Sequence, residues 1–416
     1  MKKHKPTPGH YKKDMYDTKR AVLSYEQLPL EDYNKSKDDE EKEKKSLSYK
    51  KIILCLMVLV LLVAIVFVVF NRFSCDGCSS YNINKDNYPV TIKGSIVNNG
   101  NFDTYSNGFS YVSDTHYAVY DLNGNEIFNS QVSFNEPVLK LNHNGNAVVY
   151  NLGGNKYSLF TKEKHVYSGE TDAKLYLADI TPNSVYATLT ESRDYKAKLS
   201  VYSSDGSPLY GYSFEEYYIT SFALNSEGTG AVASGVTTEN GIEKSVIYVF
   251  DFTSEKPLAF HEISGDIIFD CEYLSSDSVC AIGENASYII HGNKYSSLAK
   301  NSYTQKTLAS YDINSDTGIL SLGLSRSGDG RNCTVQCINK SGKIITNTDT
   351  SYAATFISSY KNRVAISDKN KVYLYSQDGS FLSEKDINNA DSKQIRMISS
   401  DTVIVLGLKN ISIYKL

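Results

Sequence analysis

VYSSDG occupies residues 201–206, LYSQDG residues 374–379 and VYDLNG residues 119–124. A hydrophobic residue, a tyrosine, a few polar residues and a glycine thus return at distant points of one chain. With the hydrophobic residue as a marker, the series runs Val119, Leu159, Val201, Val249, Ile289, Cys337, Leu374, Ile413. Its intervals are 40, 42, 48, 40, 48, 37 and 39 residues. A period in the low forties is the length of one four-stranded propeller blade. An apolar run precedes each marker, such as NAVVYNL at 146–152 or RVAISD at 363–368, and a further short run follows, such as PLYGYSF at 208–214. Alternating runs punctuated by SDG, NG and KSG turns are the pattern of antiparallel hairpins. No window from 89 to 416 sustains a 3.6-residue period.

The motif has a mechanical reading. The marker packs between blades, its tyrosine neighbour points to the other face of the sheet, and an Asp/Asn-Gly pair supplies positive φ for a tight hairpin. One small sheet cannot bury both its faces, so blades stack radially and cover each other. The chain has 33 tyrosines and no tryptophan, so Tyr and Phe must fill the gaps between blades. Eight markers favour eight blades; seven follow if a terminal piece only covers a gap. The last unit, TVIVLGLKNISIYKL, stops after its marker strand and lacks outer and inner partners. PVTIKGSI at 89–96 precedes the first complete unit and is the segment expected to supply them. Closure by both chain ends protects the edges.

These units resemble the degenerate repeats of quinoprotein-like and YVTN-type β-propellers, with their aliphatic-Tyr-Asp-x-Asp-Gly-Lys-like strand and turn. The whole layout resembles an uncharacterised family of clostridial single-pass membrane proteins of unknown function. The resemblance implies an all-β propeller and carries over no catalytic residue. Quinoprotein dehydrogenases dock their blades with tryptophan, which is absent here, so neither a quinone nor any other cofactor is expected.

Residues 52–70, IILCLMVLVLLVAIVFVVF, contain no charge, Pro or Gly. As a helix they cover roughly 28 Å, close to the ~30 Å hydrocarbon thickness. About fifty residues precede this run and no small-residue cleavage site follows, so it reads as an uncleaved signal anchor. Lys42, Lys44, Lys45, Lys50 and Lys51 flank it on one side and Arg72 alone on the other, which places the N-terminus in the cytoplasm. The expected layout is a disordered cytoplasmic tail at 1–51, a transmembrane helix at 52–71 in contact with membrane lipid, an extracellular stalk at 72–88, and an extracellular propeller at 89–416. Residues 1–51 hold 14 Lys/Arg and 10 Asp/Glu, while the part after Arg72 carries −9. An acidic ectodomain argues against nucleic acid as its partner.

Cys75 and Cys78, in CDGC, read as a local disulfide or paired thiols in the stalk, or as a bridge to a second copy. Thioredoxin-like context is missing. Cys271 and Cys280 flank a turn in CEYLSSDSVC and lie opposite each other if that turn centres near Ser275 and Ser276, which makes a bond available. Cys333 and Cys337 lie about 13 Å apart on one strand, too far to pair, and read as core thiols. His116, His143, His165, His261 and His291 fall in different units, scattered in loops, without metal-ligand spacing. GLSRSG at 323–328 lacks the glycine pattern of a nucleophile elbow. DLNGNE at 121–126 lacks the sixth-position glycine and distant glutamate of a calcium loop; a hairpin accounts for it.

The expected role is a non-catalytic binding or scaffolding module at the cell surface, facing an envelope protein or polymer. The rivals are a lyase or glycan hydrolase with its site in the central funnel, and a ligand sensor coupled to the tail.

Overall fold

The computed structural model describes Met57 and residues 83–416, except 327–330, 369 and 388–390. Eight four-stranded antiparallel sheets make up this part of the chain. Seven are built in chain order from the inside outwards. Blade 1, for instance, runs Phe102–Tyr105, Gly108–Val112, His116–Asp121, Glu126–Gln131. The first strands of successive blades touch in a closed cycle: Phe102–Tyr105, Pro137–Leu141, Leu175–Ile180, Tyr218–Leu224, Ile268–Ser275, Thr307–Asn314, Phe356–Tyr360, Gln394–Ser399 and back. The architecture is an eight-bladed β-propeller.

Every marker sits on the third strand of its blade and is buried, from Val119 at 0% to Ile413 at 8% exposed. There are eight apolar clusters, one at each junction between neighbouring blades. Aromatic rings fill them, as expected of a chain without tryptophan. Tyr117 and Phe160 bring blades 1 and 2 together with ring centroids 4.5 Å apart. Tyr212, Phe214, Tyr248 and Phe250 form a herringbone between blades 3 and 4. Within 83–416 the only described helical element is one short 3-10 turn, Asn293–Tyr295.

The ring closes through both chain ends, but not as the sequence suggested. Blade 8 takes its innermost strand, Gln394–Ser399, from its own unit. The N-terminal segment supplies only the outermost strand, Val90–Thr91, paired as Val90↔Ile411 and Thr91↔Asn410. Val90 and Ile92 then share one apolar cluster with Phe109, Ile404 and Ile411. The repeat turn also differs from the expected two-residue type. In 201–207 only Gly206 has positive φ, at 85°. Ser203 N–H donates to the Ser207 carbonyl and Gly206 N–H to the Ser203 carbonyl, and the strand register shifts between Val201 and Tyr202. This is a longer turn closed by a glycine bulge.

Among the described residues no helix is long and apolar enough to cross a membrane. The tail at 1–51, the span at 52–71 apart from Met57, and the stalk with Cys75 and Cys78 up to residue 82 lie outside the described residues.

Candidate functional site

The inner strands carry charge that their apolar neighbours do not announce. Asp103, Lys140, Asp179, Asp270, Glu272, Asp312 and Arg396 come from six blades, and their charges act on one another across the ring. None of them was singled out from the sequence. The available signal was a charged residue inside an otherwise apolar strand, as in PVLKL, QIRMIS and IFDCEYLS.

Most of these groups fasten one blade to the next. Asp179 accepts the Leu224 N–H at 2.8 Å, from blade 3 to blade 4. Asp270 accepts the Ser221 hydroxyl at 2.8 Å and the Tyr311 phenol at 2.7 Å, joining blades 4, 5 and 6. Asp312 accepts both N–H and hydroxyl of Ser359, at 2.7 and 2.6 Å. Arg396 donates Nε to Asp103 at 2.7 Å and lies 3.7 Å from Asp312, so it spans from blade 8 to blades 1 and 6. Asn101 performs the same task without charge, accepting Leu139 N–H and donating to the Pro137 carbonyl. Buried backbone groups at these crossings require such partners.

Two groups are left over. The Lys140 ammonium and the Glu272 carboxyl make no hydrogen bond or ion pair with any described residue. Both are exposed and stand on innermost strands, and their charges reach groups on other blades, so they face the middle of the ring. Confinement raises the Glu272 carboxyl to about 8; Asp270, Asp179 and Asp103 add to the rise and Lys140 opposes it. Confinement alone would lower Lys140, but Asp270, Asp179 and Glu272 outweigh it and hold the ammonium charged. Burial raises Asp179 against the pull of Lys140, and raises Asp312 against Arg396 and Ser359. The channel therefore offers one protonatable acid and one cation free to meet a ligand.

A second concavity, of about 190 Å³, lies between the outer parts of blades 1 and 2 and is lined by Ser133, Phe134, Ser158, His165 and Ser168. His165 Nε2 and Ser168 Oγ are 2.8 Å apart, and Ser168 and Ser158 hydroxyls 2.9 Å. Among the described residues none bonds the other imidazole nitrogen and no carboxylate lines the cleft, so they supply no third group of a hydrolytic relay.

The expected cysteine pair does not form. Cys271 and Cys280 are free and buried. The register pairs Cys271 with Ala281 and Glu272 with Cys280, and the turn falls after Ser275↔Ser278. A one-residue offset puts the thiols on opposite faces of the sheet: Cys271 packs towards blade 4 and Cys280 towards blade 6. Cys333 and Cys337 are buried free thiols on one strand, as expected. The histidines do not all lie in different blades, since His143 and His165 both fall in blade 2, and His116, His165, His261 and His291 stand on strands, not in loops. Among the described residues no group of three His, Cys, Asp or Glu side chains is placed to hold a metal. Asp121 spends its carboxylate on Asn123 and Asn125 within its own hairpin. The GLSRSG stretch is a strand as far as Ser325 and then enters residues outside those described.

Solved structures share this architecture at low identity. BamB from Moraxella catarrhalis is 11% identical with a TM-score of 0.50, over 79% of this chain and 100% of its own. Sqt1 of Saccharomyces cerevisiae gives 10% and 0.51 over 80% and 98%. The C-terminal WD40 domain of Sif2 gives 10% and 0.52 over 79% and 96%. These likenesses carry the fold alone. No curated protein matches the sequence. A family model described as "Family of unknown function (DUF5711)" matches residues 81–416, the whole of the ring, and the chain belongs to that family.

Proposed function

We propose that this protein is a non-catalytic binding or scaffolding module, held in the membrane by residues 52–71, whose propeller faces an envelope protein or polymer outside the cell. One observation carries the binding role: the ring spends most of its inner carboxylates on fastening blades, while large apolar side chains stand exposed away from the inner strands, Ile242 and Phe260 on blade 4 and Phe381 on blade 7 among them. Exposed apolar side chains that cluster mark contact sites. The anchor rests on the apolar run at 52–70 and on the lysines before it. Photocrosslinkers placed on both propeller faces in living cells test the proposal. Capture of the same envelope component from one face supports it; no retained component from either face overturns it.

Glu272 favours a second reading, acid–base catalysis in the channel. A carboxyl raised to about 8, in the field of the Lys140 ammonium, is a usable proton donor at neutral pH. That reading requires a substrate whose turnover is lost in Glu272→Gln while binding persists.

A further inference from the structure

The concavity between blades 1 and 2 opens where the chain departs from its own repeat. In blades 1, 3, 6 and 7 the turn between the third and outermost strands spans five residues, with glycine at the fourth. Asp121 N–H donates to the Asn125 carbonyl, Ser203 N–H to Ser207, Asn339 N–H to Lys343 and Ser376 N–H to Ser380. Three of these turns lie against the neighbouring blade: Gly124 beside Val90, Gly342 beside Ala299 and Gly379 beside Thr348. Blade 2 has Thr161, Lys162, Glu163 and Lys164 instead. Its turn is one residue shorter, Thr161 N–H donating to the Lys164 carbonyl, and it holds no glycine. The end of the outermost strand of blade 1 is left without that cover, and Gln131 and Ser133 are exposed there.

Register decides what lines the cleft. On blade 2, Ser158 pairs with Ser168 and Phe160 with His165, and cross-strand partners share a face. On blade 1, Ser130 pairs with Tyr117, and Tyr117 packs on Phe160, so Ser130 looks back from the opposite wall. Phe160 is buried beneath them. The His165 ring stands edge-on to it with centroids 5.2 Å apart, which holds the imidazole in place. Ser168 bonds both His165 Nε2 and the Ser158 hydroxyl. Ser130 reaches only the Gln131 carbonyl, at 3.4 Å. The Gln131 and Ser133 side chains make no hydrogen bond with any described residue. No Lys, Arg, Asp or Glu is among the described residues that line the space. The next pair along the same face, Lys156 and Glu170, is spent on itself at 3.5 Å.

We infer that this cleft seats one neutral sugar residue of an envelope polysaccharide. An anion would find no cation to pair with, and an apolar ligand would strand the hydroxyls. Serine hydroxyls, an amide and an imidazole both donate and accept, and so do the hydroxyls of a sugar. Phe134, half-buried, offers an apolar wall to the C–H face of the ring. The volume of about 190 Å³ suits one such ring, since a cavity of about 150 Å³ holds a benzene. The exposed mouth lets the polymer run on at both sides. The inference rests on the binding-module reading and gives that reading a site and a ligand chemistry.

The test uses the full-length protein in a sugar-free detergent. The probes are the methyl glycosides of glucose, galactose and N-acetylglucosamine, the β-linked pentamers of the same sugars, and inorganic phosphate. Ligand line broadening in NMR titrations follows binding. At least one glycoside is expected to bind with a dissociation constant on the order of 1–10 mM. Its pentamer is expected to bind at least as tightly, and phosphate to displace neither. Ser158→Ala/Ser168→Ala is expected to weaken binding about tenfold or more. Ser133→Trp, at the exposed mouth, is expected to abolish it, whereas Ser383→Ala on the outermost strand of blade 7 leaves it unchanged. Thermal midpoints show that each variant folds. No glycoside bound up to about 50 mM, or binding unchanged in both cleft variants, overturns the inference. So does displacement by phosphate, which marks an anion site, or exclusion of the pentamer, which marks a site for free sugar. Crosslinkers at Ser133 that capture an envelope protein overturn the sugar site and leave the module standing.

Discussion

Gly206 and Gly379 hold the same turn with different amounts of room. Both have positive φ, 85° and 89°. A Cβ on Gly206 would find its nearest neighbour, the Tyr186 hydroxyl, at 3.8 Å, whereas on Gly379 it would strike Thr348 Oγ1. Gly206→Ala isolates backbone strain and is expected to cost about 1–2 kcal/mol. Gly379→Ala is expected to cost more, and urea denaturation of the pair checks the order. In each turn an aspartate does a second job: Asp378 accepts the Ser376 hydroxyl and the Ser380 N–H, which hold its carboxyl down at about 2. Asp205 repeats the arrangement with Ser203 and Ser207. Here the sequence was legible, since Ser-x-Asp-Gly states the turn outright; only the bulge geometry was misread, because Asp-Gly alone does not distinguish the two hairpin types. Glu272 behaves in the opposite sense. Its folded value of about 8 lies above the ordinary ~4.3, so the folded state binds the proton more tightly. Its stabilising share is whole below the ordinary value and is lost as pH rises through about 8. Urea midpoints compared between mildly acid and alkaline buffer are expected to fall less in Glu272→Gln than in the parent.

At the level of strands, the latches decide how rigid each junction is. Asp312→Ala strands Ser359 N–H and halves the ion pairing of Arg396. A loss of roughly 1–3 kcal/mol is expected, the cost of a buried donor without a partner, and thermal or urea unfolding measures it. These latches were invisible in the sequence because most join strands some 40 to 50 residues apart, and Arg396 with Asp103 joins residues 293 apart; a single charge in a strand announces no partner. The hairpin at 271–280 shows the same limit. Spacing suggested facing cysteines, but the turn sits at Ser276–Asp277, one residue further on, and with the bulge between Tyr273 and Ser275 it leaves Cys271 opposite Ala281 and Cys280 opposite Glu272. Burial pushes the Cys271 thiol up to about 12 and raises Cys280 as well. Neither is expected to react with a thiol reagent before unfolding. Mass spectrometry of labelled peptides, native against denatured, checks this; a Cys271–Cys280 linked peptide in unreduced protein would contradict it.

For the molecule as a whole, the repeat was enough. The marker spacing favoured eight blades over seven because each third strand must be buried on both faces, and only a closed ring provides a neighbour on each side for all eight. What the spacing left open was how the ring is sealed. A strand of two residues, Val90–Thr91, completes blade 8, too short to stand out by periodicity. Its pairing tests the ring most directly. Ile92 N–H donates to the Lys409 carbonyl, so Thr91 and Asn410 face each other as the non-hydrogen-bonded pair, where side chains approach closest. In Thr91→Cys/Asn410→Cys a disulfide is expected to form on mild oxidation and to raise the unfolding midpoint, since it locks both chain ends. Two free thiols at these positions after oxidation, in protein that remains folded, would contradict a ring of eight blades closed by its own N-terminal strand.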